Sequence, residues 1–401
     1  MRADPVLVTG IGVVAPTGVG AEEHWDALLQ GRSGLYPISR FDASRYPVRV
    51  AGEVLDFDET RHLPPRMLPQ TDRTTRYALA AADAAVADAG MRGGLGDEPG
   101  VITAAAAGGF EFGQCEEQKL WARGPGQVSA YQSFAWFYAV NTGQISIRHG
   151  LRGPGSVLVA GQAGGLDAIA QAVRALRRDG PALMLTGGAD AALCPWGLLA
   201  RCAGGGLSTD PDPRRAYLPF DEGASGAVPG EGAAVLVVER ASAVARRGAR
   251  VYGRLAGHAA TFDPEPRAPG TGLVRAIRGA LRAARLPASE VDAVFADAAG
   301  VPERDRAEIS ALAEVFGPAG VPVTAPKSMT GRLDSAAGAL DAVAALLALR
   351  DGVLPPTIGT RSVRPELDLV LEQPRELALR AVLVLARDPD GFNSALVVTA
   401  L

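Results

Sequence analysis

The chain has 401 residues, 47% hydrophobic and 21% charged, the balance of a globular protein long enough for a large core or for two fused halves. A net charge of −4 weighs against a general nucleic-acid binder, and the three cysteines (Cys115, Cys194, Cys202) follow neither metal-ligand spacing nor a disulfide framework, which suits a reducing cytoplasm. No apolar run reaches the roughly 18–20 residues that span a bilayer, and no signal-peptide apolar region precedes the first strand, so neither membrane nor nucleic acid is an expected partner.

Val6 to Thr9 reads as a short strand, followed by glycine-rich turn residues up to Gly20. Glu22 to Gln30 reads as a helix that Gly31 stops, and Thr74 to Ala89 as an alanine-rich helix closed by Gly90. Val101 to Ala105, Ser156 to Ala160, Leu183 to Thr186 and Val235 to Glu239 read as strands. From about Val251 the alternation repeats. Helix Gly272 to Ala284, strand Val291 to Ala296, helix Arg304 to Phe316 and strand Val321 to Ala325 lead to a long helix, Ala336 to Arg350. Strands near Ala381 to Leu385 and Ser394 to Val398 close the chain, and the proline-rich stretch from Asp263 to Gly270 reads as a surface loop. Alternating strands and helices imply a layered α/β fold. The chain divides into an N-terminal half, 1–245, and a C-terminal half, 246–401, alike in architecture though not in residue identity.

The strand ending at Ala160 meets the helix carrying Leu166, Ile169, Ala170, Val173 and Leu176 through a small-residue turn centred on Gln162. Acyl-transfer enzymes often expose a nucleophile at such a turn, where the N–H groups of a helix start favour negative charge. An amide cannot attack a carbonyl, so no acyl-enzyme is expected here. None of the four histidines (His24, His62, His149, His258) lies in a motif that would pair with a cysteine nucleophile.

Three further segments accompany this turn: Asp297-Ala-Ala-Gly-Val-Pro, Lys327-Ser-Met-Thr-Gly-Arg-Leu-Asp-Ser-Ala-Ala-Gly, and Asp388-Pro-Asp-Gly-Phe-Asn. With Val8-Thr-Gly-Ile-Gly near the start and Gly230-Glu-Gly-Ala-Ala in the middle, they resemble the β-ketoacyl synthases of the thiolase-like superfamily over essentially the whole chain. That resemblance implies two fused α/β halves layered α-β-α-β-α, and a catalytic set of one cysteine and two histidines. Gln162, Asp297 and Arg332 stand at the Cys, His and His positions, so no catalytic residue is intact, while Gly300, Pro302, Asp305, Glu308, Lys327, Ser328 and Gly331 keep the family pattern. A GFGG-type turn that supplies an oxyanion-hole N–H in active relatives places Pro389, which has no N–H, at the donor position.

Val159-Ala-Gly-Gln-Ala-Gly-Gly-Leu-Asp-Ala168 is similar to one branch of that family, the ketosynthase β subunits or chain length factors of type II polyketide synthases. The branch implies a heterodimer with an active ketosynthase α subunit. That partner condenses malonyl units delivered by an acyl carrier protein, whose phosphopantetheine is the only prosthetic group, and the β subunit has no cofactor or metal of its own. It also implies that this chain is inactive alone and shapes an interface tunnel for the growing polyketide. Phe110, Gly113 and Glu117, which share one face of a helix with Gln114, are the expected tunnel residues, and Trp196 a further one. Gly113 is expected to leave space, and Glu117 to turn away from an apolar wall or to meet an arginine of the partner. Asp297 and Arg332 are placed to form an ion pair. Gln162 is either a buried amide that supports the fold or a group that assists malonyl decarboxylation and priming. A self-sufficient synthase with an unorthodox triad is the third reading.

Overall fold

Ten consecutive buried residues form the first strand, β1 (Val6–Ala15). The expected strand stopped at Thr9, because Gly10 and Gly12 read as turn residues. Both glycines lie within the strand. A Cβ on Gly10 would sit 2.2 Å from the Ala85 carbonyl oxygen and one on Gly12 1.9 Å from that of Ala81, so they let a helix lie directly on the sheet. The computed structural model describes residues 4–91, 95, 98–178, 180–263 and 271–401; beyond Asp263, the loop expected at 263–270 lies outside them.

Apart from the two-residue strand Gly18–Val19, which pairs with β1, the remaining described strands of the main sheet are β2 (Gly100–Ala104), β3 (Gly155–Leu158), β4 (Leu183–Asp190), β5 (Gly232–Arg240), β6 (Gly253–Phe262), β7 (Ala293–Phe295), β8 (Pro322–Thr324), β9 (Asp368–Leu369), β10 (Ala381–Arg387) and β11 (Phe392–Thr399). Their hydrogen-bonded order is β9-β8-β7-β10-β11-β6-β1-β5-β4-β2-β3. Within each half, parallel strands on the outer side lead to two antiparallel pairings, β4/β5 and β5/β1 in the first and β10/β11 and β11/β6 in the second. The halves meet between β1 and β6 through two residue pairs, Leu7 with Arg254 and Val8 with Gly253.

The helices used below are α1 (Ala21–Leu29), α2 (Arg73–Asp88), α3 (Phe110–Arg123), α4 (Val140–His149), α5 (Gly164–Arg177), α6 (Pro195–Gly204), α7 (Thr271–Ala284), α8 (Pro302–Phe316) and α9 (Ser335–Asp351). α2 covers β1 and β5 on one outer face, and α7 covers β6 and β11 on the other. α5 and α9 pack on each other between the two halves of the sheet. α9 is buried on every side from Ser335 to Ala348, as its alanine- and leucine-rich sequence demands of a helix with no polar face. The result is the layered α-β-α-β-α arrangement of a thiolase-like fold. No described helix is long and apolar enough to cross a membrane.

Candidate functional site

β3 runs into a single 3-10 turn, Gly161–Ala163, and α5 begins at Gly164. Gly161 has φ +48°, and a Cβ there would lie 1.8 Å from Asp388 Oδ2, so the turn admits only glycine. Gln162 is 7% exposed. Its backbone N–H donates to Asp388 Oδ2 at 3.0 Å, and its Nε2 donates to Asp334 Oδ1 at 2.9 Å. Its Oε1 is buried with no partner among the described residues. Asp334 also pairs with Arg201, and it holds φ +46° and ψ −126°, a sparsely populated backbone for a residue other than glycine.

Beside Asp334, the fully buried Asp190 accepts N–H groups from Ser335 and Ala106, each at 3.0 Å, and from Ala107 at 3.1 Å, as well as the Ser335 hydroxyl. Burial, with Asp334 adding to it, pushes the Asp190 carboxyl up to about 6. A cavity of about 380 Å³ opens next to the turn, lined by Phe110, Val159, Gly161, Arg201, Asp334, Asp388 and Phe392 among others.

The other two positions that the resemblance marks, Asp297 and Arg332, meet each other. Arg332 Nη2 donates to Asp297 Oδ1 at 2.9 Å and to the Arg387 carbonyl at 3.0 Å, and Nη1 donates to the Asp297 carbonyl at 2.7 Å. The Arg387 N–H completes the carboxylate's shell at 2.8 Å. The side chains are 8% and 4% exposed. Burial opposes both charges, but Arg332, helped by Lys327, outweighs it and holds the Asp297 carboxyl below its usual range. Glu308, on α8, accepts the N–H groups of Asp297 at 2.7 Å and Ala298 at 2.9 Å; burial, then repulsion by Asp297, pushes it up to about 7. Lys327 bonds the Ala296 carbonyl and pairs with Asp341 at 2.6 Å. The space left among Asp263, Asp297, Arg304, Arg387 and Pro389 is about 10 Å³, room for about one water at most.

The α3 face behaves differently from its sequence. Phe110 and Trp196 meet at 4.9 Å between ring centroids, and the Trp196 backbone N–H donates to Gln114 Oε1 at 2.7 Å. The space expected above Gly113 is occupied by Trp196: a Cβ on Gly113 would stand 3.2 Å from Trp196 Cζ3. The open recess lies one turn further on, about 630 Å³, lined by Gln114, Glu117, Gln118, Trp121, Ala122 and Trp196. Glu117 is exposed, and the Trp121 indole N–H donates to its carboxylate at 3.4 Å.

Of the cysteines, Cys194 caps the start of α6 shortly after β4. Its sulfur accepts the Gly197 N–H at 3.4 Å, and burial pushes the thiol up to about 11. Sequence reasoning missed Asp388, Asp334 and Arg201, which complete the Gln162 turn. Asp388 belongs to the quoted Asp-Pro-Asp turn, but nothing local ties it to Gly161.

The family descriptions "Beta-ketoacyl synthase, N-terminal domain" and "Beta-ketoacyl synthase, C-terminal domain" match residues 3–243 and 252–361. The chain is 62% identical, over 98% of each chain, to the tetracenomycin polyketide synthase ketoacyl synthase beta subunit of Streptomyces glaucescens. It is 57% identical, again over 98% of each, to the actinorhodin polyketide putative beta-ketoacyl synthase 2 of Streptomyces coelicolor. Among solved structures it is similar to the ishigamide ketosynthase/chain length factor (TM-score 0.92, 32% identity, 100% of both chains). It is also similar to a chain in the structure of a type II polyketide synthase acyl carrier protein in complex with its ketosynthase bound to the hexaketide (TM-score 0.90, 28% identity, 100% of both chains).

Proposed function

The chain belongs to the β-ketoacyl synthase family, in its branch of ketosynthase β subunits, and from that premise we propose that it is the non-condensing chain length factor of a type II polyketide synthase. One observation carries the reading. The turn that should hold a nucleophile holds a hydrogen-bonded amide, and the two histidine positions hold an ion pair that fills their pocket. A partner ketosynthase α subunit supplies the cysteine and histidines, and an acyl carrier protein brings malonyl units on its phosphopantetheine. The chain itself holds no cofactor. Both subunits work in the cytoplasm. Phe110, Gly113, Glu117 and Trp196 belong to the wall of the product tunnel. Halves 1–245 and 246–401 act as one scaffold around α5 and α9.

The surface supports a partner. β3 is the last strand of the sheet, bonded only to β2, and an edge strand is a ready template for pairing. Near it in sequence, Trp136 (50%), Phe137 (40%), Ile147 (75%) and Val159 (53%) stand exposed, large apolar groups of the kind that interface cores use.

Malonyl decarboxylation at Gln162 is the less favoured reading. The Asp334 and Asp388 carboxylates bond the same residue, and they oppose the approach of an anionic malonyl group. The test mixes purified subunits. This chain alone and a cysteine-bearing α subunit alone should form no polyketide from malonyl-carrier protein, and the two together should. Malonyl consumption by this chain alone, falling on Gln162→Ala, would establish the decarboxylase instead. Covalent capture of one of its own cysteines by an epoxide inhibitor of ketosynthases would establish a self-sufficient synthase.

A further inference from the structure

We infer that Asp388 is an internal anion occupying the oxyanion position of the Gln162 turn, a second lock on this chain's condensing site that is independent of the missing cysteine. The inference rests on the reading of this turn as the vestigial condensing site, but not on the chain having a partner or setting product length.

α5 runs fourteen residues, Gly164–Arg177, from this turn, so its start is an electropositive place that a developing oxyanion would use. Here the N–H of Gln162 is already taken, at 3.0 Å, by Asp388 Oδ2. The other carboxylate oxygen, Oδ1, accepts the Asp390 N–H at 3.0 Å. The carboxylate enters only because residue 161 has no side chain. Its position is fixed from behind by the tight β10–β11 connection, whose last register pair is Arg387 with Asn393. The Asn393 amide in turn donates to Asp263 Oδ2 at 2.9 Å and to the Gly391 carbonyl at 3.1 Å. The following residue, Pro389, brings no N–H of its own. Both donors that an acyl-transfer step would need are therefore absent, one by chemistry and one by occupation.

Burial raises the Asp388 carboxyl above the usual range, against the Asp390 and Gln162 N–H groups; the Asp390 charge adds to the rise and Arg332 opposes it. Arg304, which with Arg387 lines the small space behind the turn, also interacts with its charge. On the α5 side, Gln162 also bonds Asp334, which is paired with Arg201. A cysteine placed at 162 would thus meet a carboxylate where a helix start ordinarily acidifies a thiol. Restoring the nucleophile alone would leave it protonated and slow.

The test uses the full chain as Gln162→Cys, Gln162→Cys with Asp388→Asn, and Gln162→Cys with Asp388→Gly. Asparagine keeps the shape and an acceptor for the turn while removing the charge; glycine vacates the position. Alkylation by iodoacetamide, in which the thiolate sulfur displaces iodide, is followed peptide by peptide with mass spectrometry from pH 6 to 10. The exposed Cys115 serves as internal reference. Both double variants should alkylate residue 162 at least tenfold faster at pH 7, with a midpoint at least one pH unit lower than the single variant. Identical rates and midpoints in all three would overturn the assignment. So would faster alkylation in the glycine variant alone at an unchanged midpoint, which reports steric opening only. Should the asparagine variant fail to fold, judged by its Cys115 rate and thermal midpoint, Asp388→Ser carries the same comparison.

Discussion

Removing the Arg332 guanidinium would leave the Asp297 carboxylate, 4% exposed, with one remaining donor, the Arg387 N–H. Breaking a buried pair from one side costs about 3–5 kcal/mol, because the surviving charge stays desolvated. Unfolding entropy of about 2.1 cal/mol/K per residue gives about 0.8 kcal/mol/K for 401 residues, so Arg332→Ala should lower the thermal midpoint by about 4–6 °C. Removing both charges at nearly constant volume, with Asp297→Asn and Arg332→Met together, should cost less, about 2 °C, since no uncompensated ion remains. Thermal unfolding of the full chain followed by circular dichroism reads both shifts. A shift below about 1 °C for Arg332→Ala would refute the pairing energetics. A double variant at least as destabilised as the single would show instead that Arg332 matters for its carbonyl contacts and not for its charge.

His24 is buried with no partner for its Nε2 among the described residues, and burial lowers it from 6.5 to about 3. The unfolded chain therefore takes up the proton first: stability is complete above pH 6.5 and falls as the pH drops toward 3, by about 1.4 kcal/mol at pH 5.5. Glu308, raised to about 7, contributes the opposite slope, its stabilisation being lost as pH rises through 7, but it does so with or without the histidine. The urea midpoint of His24→Gln should thus fall less than that of the natural chain between pH 7.5 and 5.5; equal falls would contradict it. Gly161→Ala should cost more than about 2 kcal/mol in the natural chain and distinctly less beside Asp388→Gly, and an additive double-mutant cycle would deny the contact. Gly113→Leu in the paired synthase should force Trp196 aside and shorten the product by at least one two-carbon unit, read by mass spectrometry. An unchanged product would remove this helix face from the tunnel.

Most strands and helices were legible because their periods are strong: α7 and α9 fall within a residue or so of their expected ends. β1 was cut short because glycine in a strand looks like a turn until the helix lying against it is known. The Asp297–Arg332 pairing was legible only through the family resemblance, which implies that both residues stand where motif histidines converge. The occupant of the Gln162 turn was not, since Asp388 is 226 positions away and its reach depends on how the β10–β11 connection folds back. The space at Gly113 misled for a related reason. A missing side chain marks room only if no neighbour grows into it, and Trp196, on another helix, does.

The sheet itself joins its halves by two residue pairs, but polar bonds also tie them beside the Gln162 turn at Gln162–Asp388, Gln162–Asp334, Arg201–Asp334 and Asp190–Ser335. Together they give the two halves a second seam, away from the sheet and built on three carboxylates, Asp388, Asp334 and Asp190. For the proposed gauge of product length such a seam is an asset, because a wall that yields to a lengthening molecule cannot measure it.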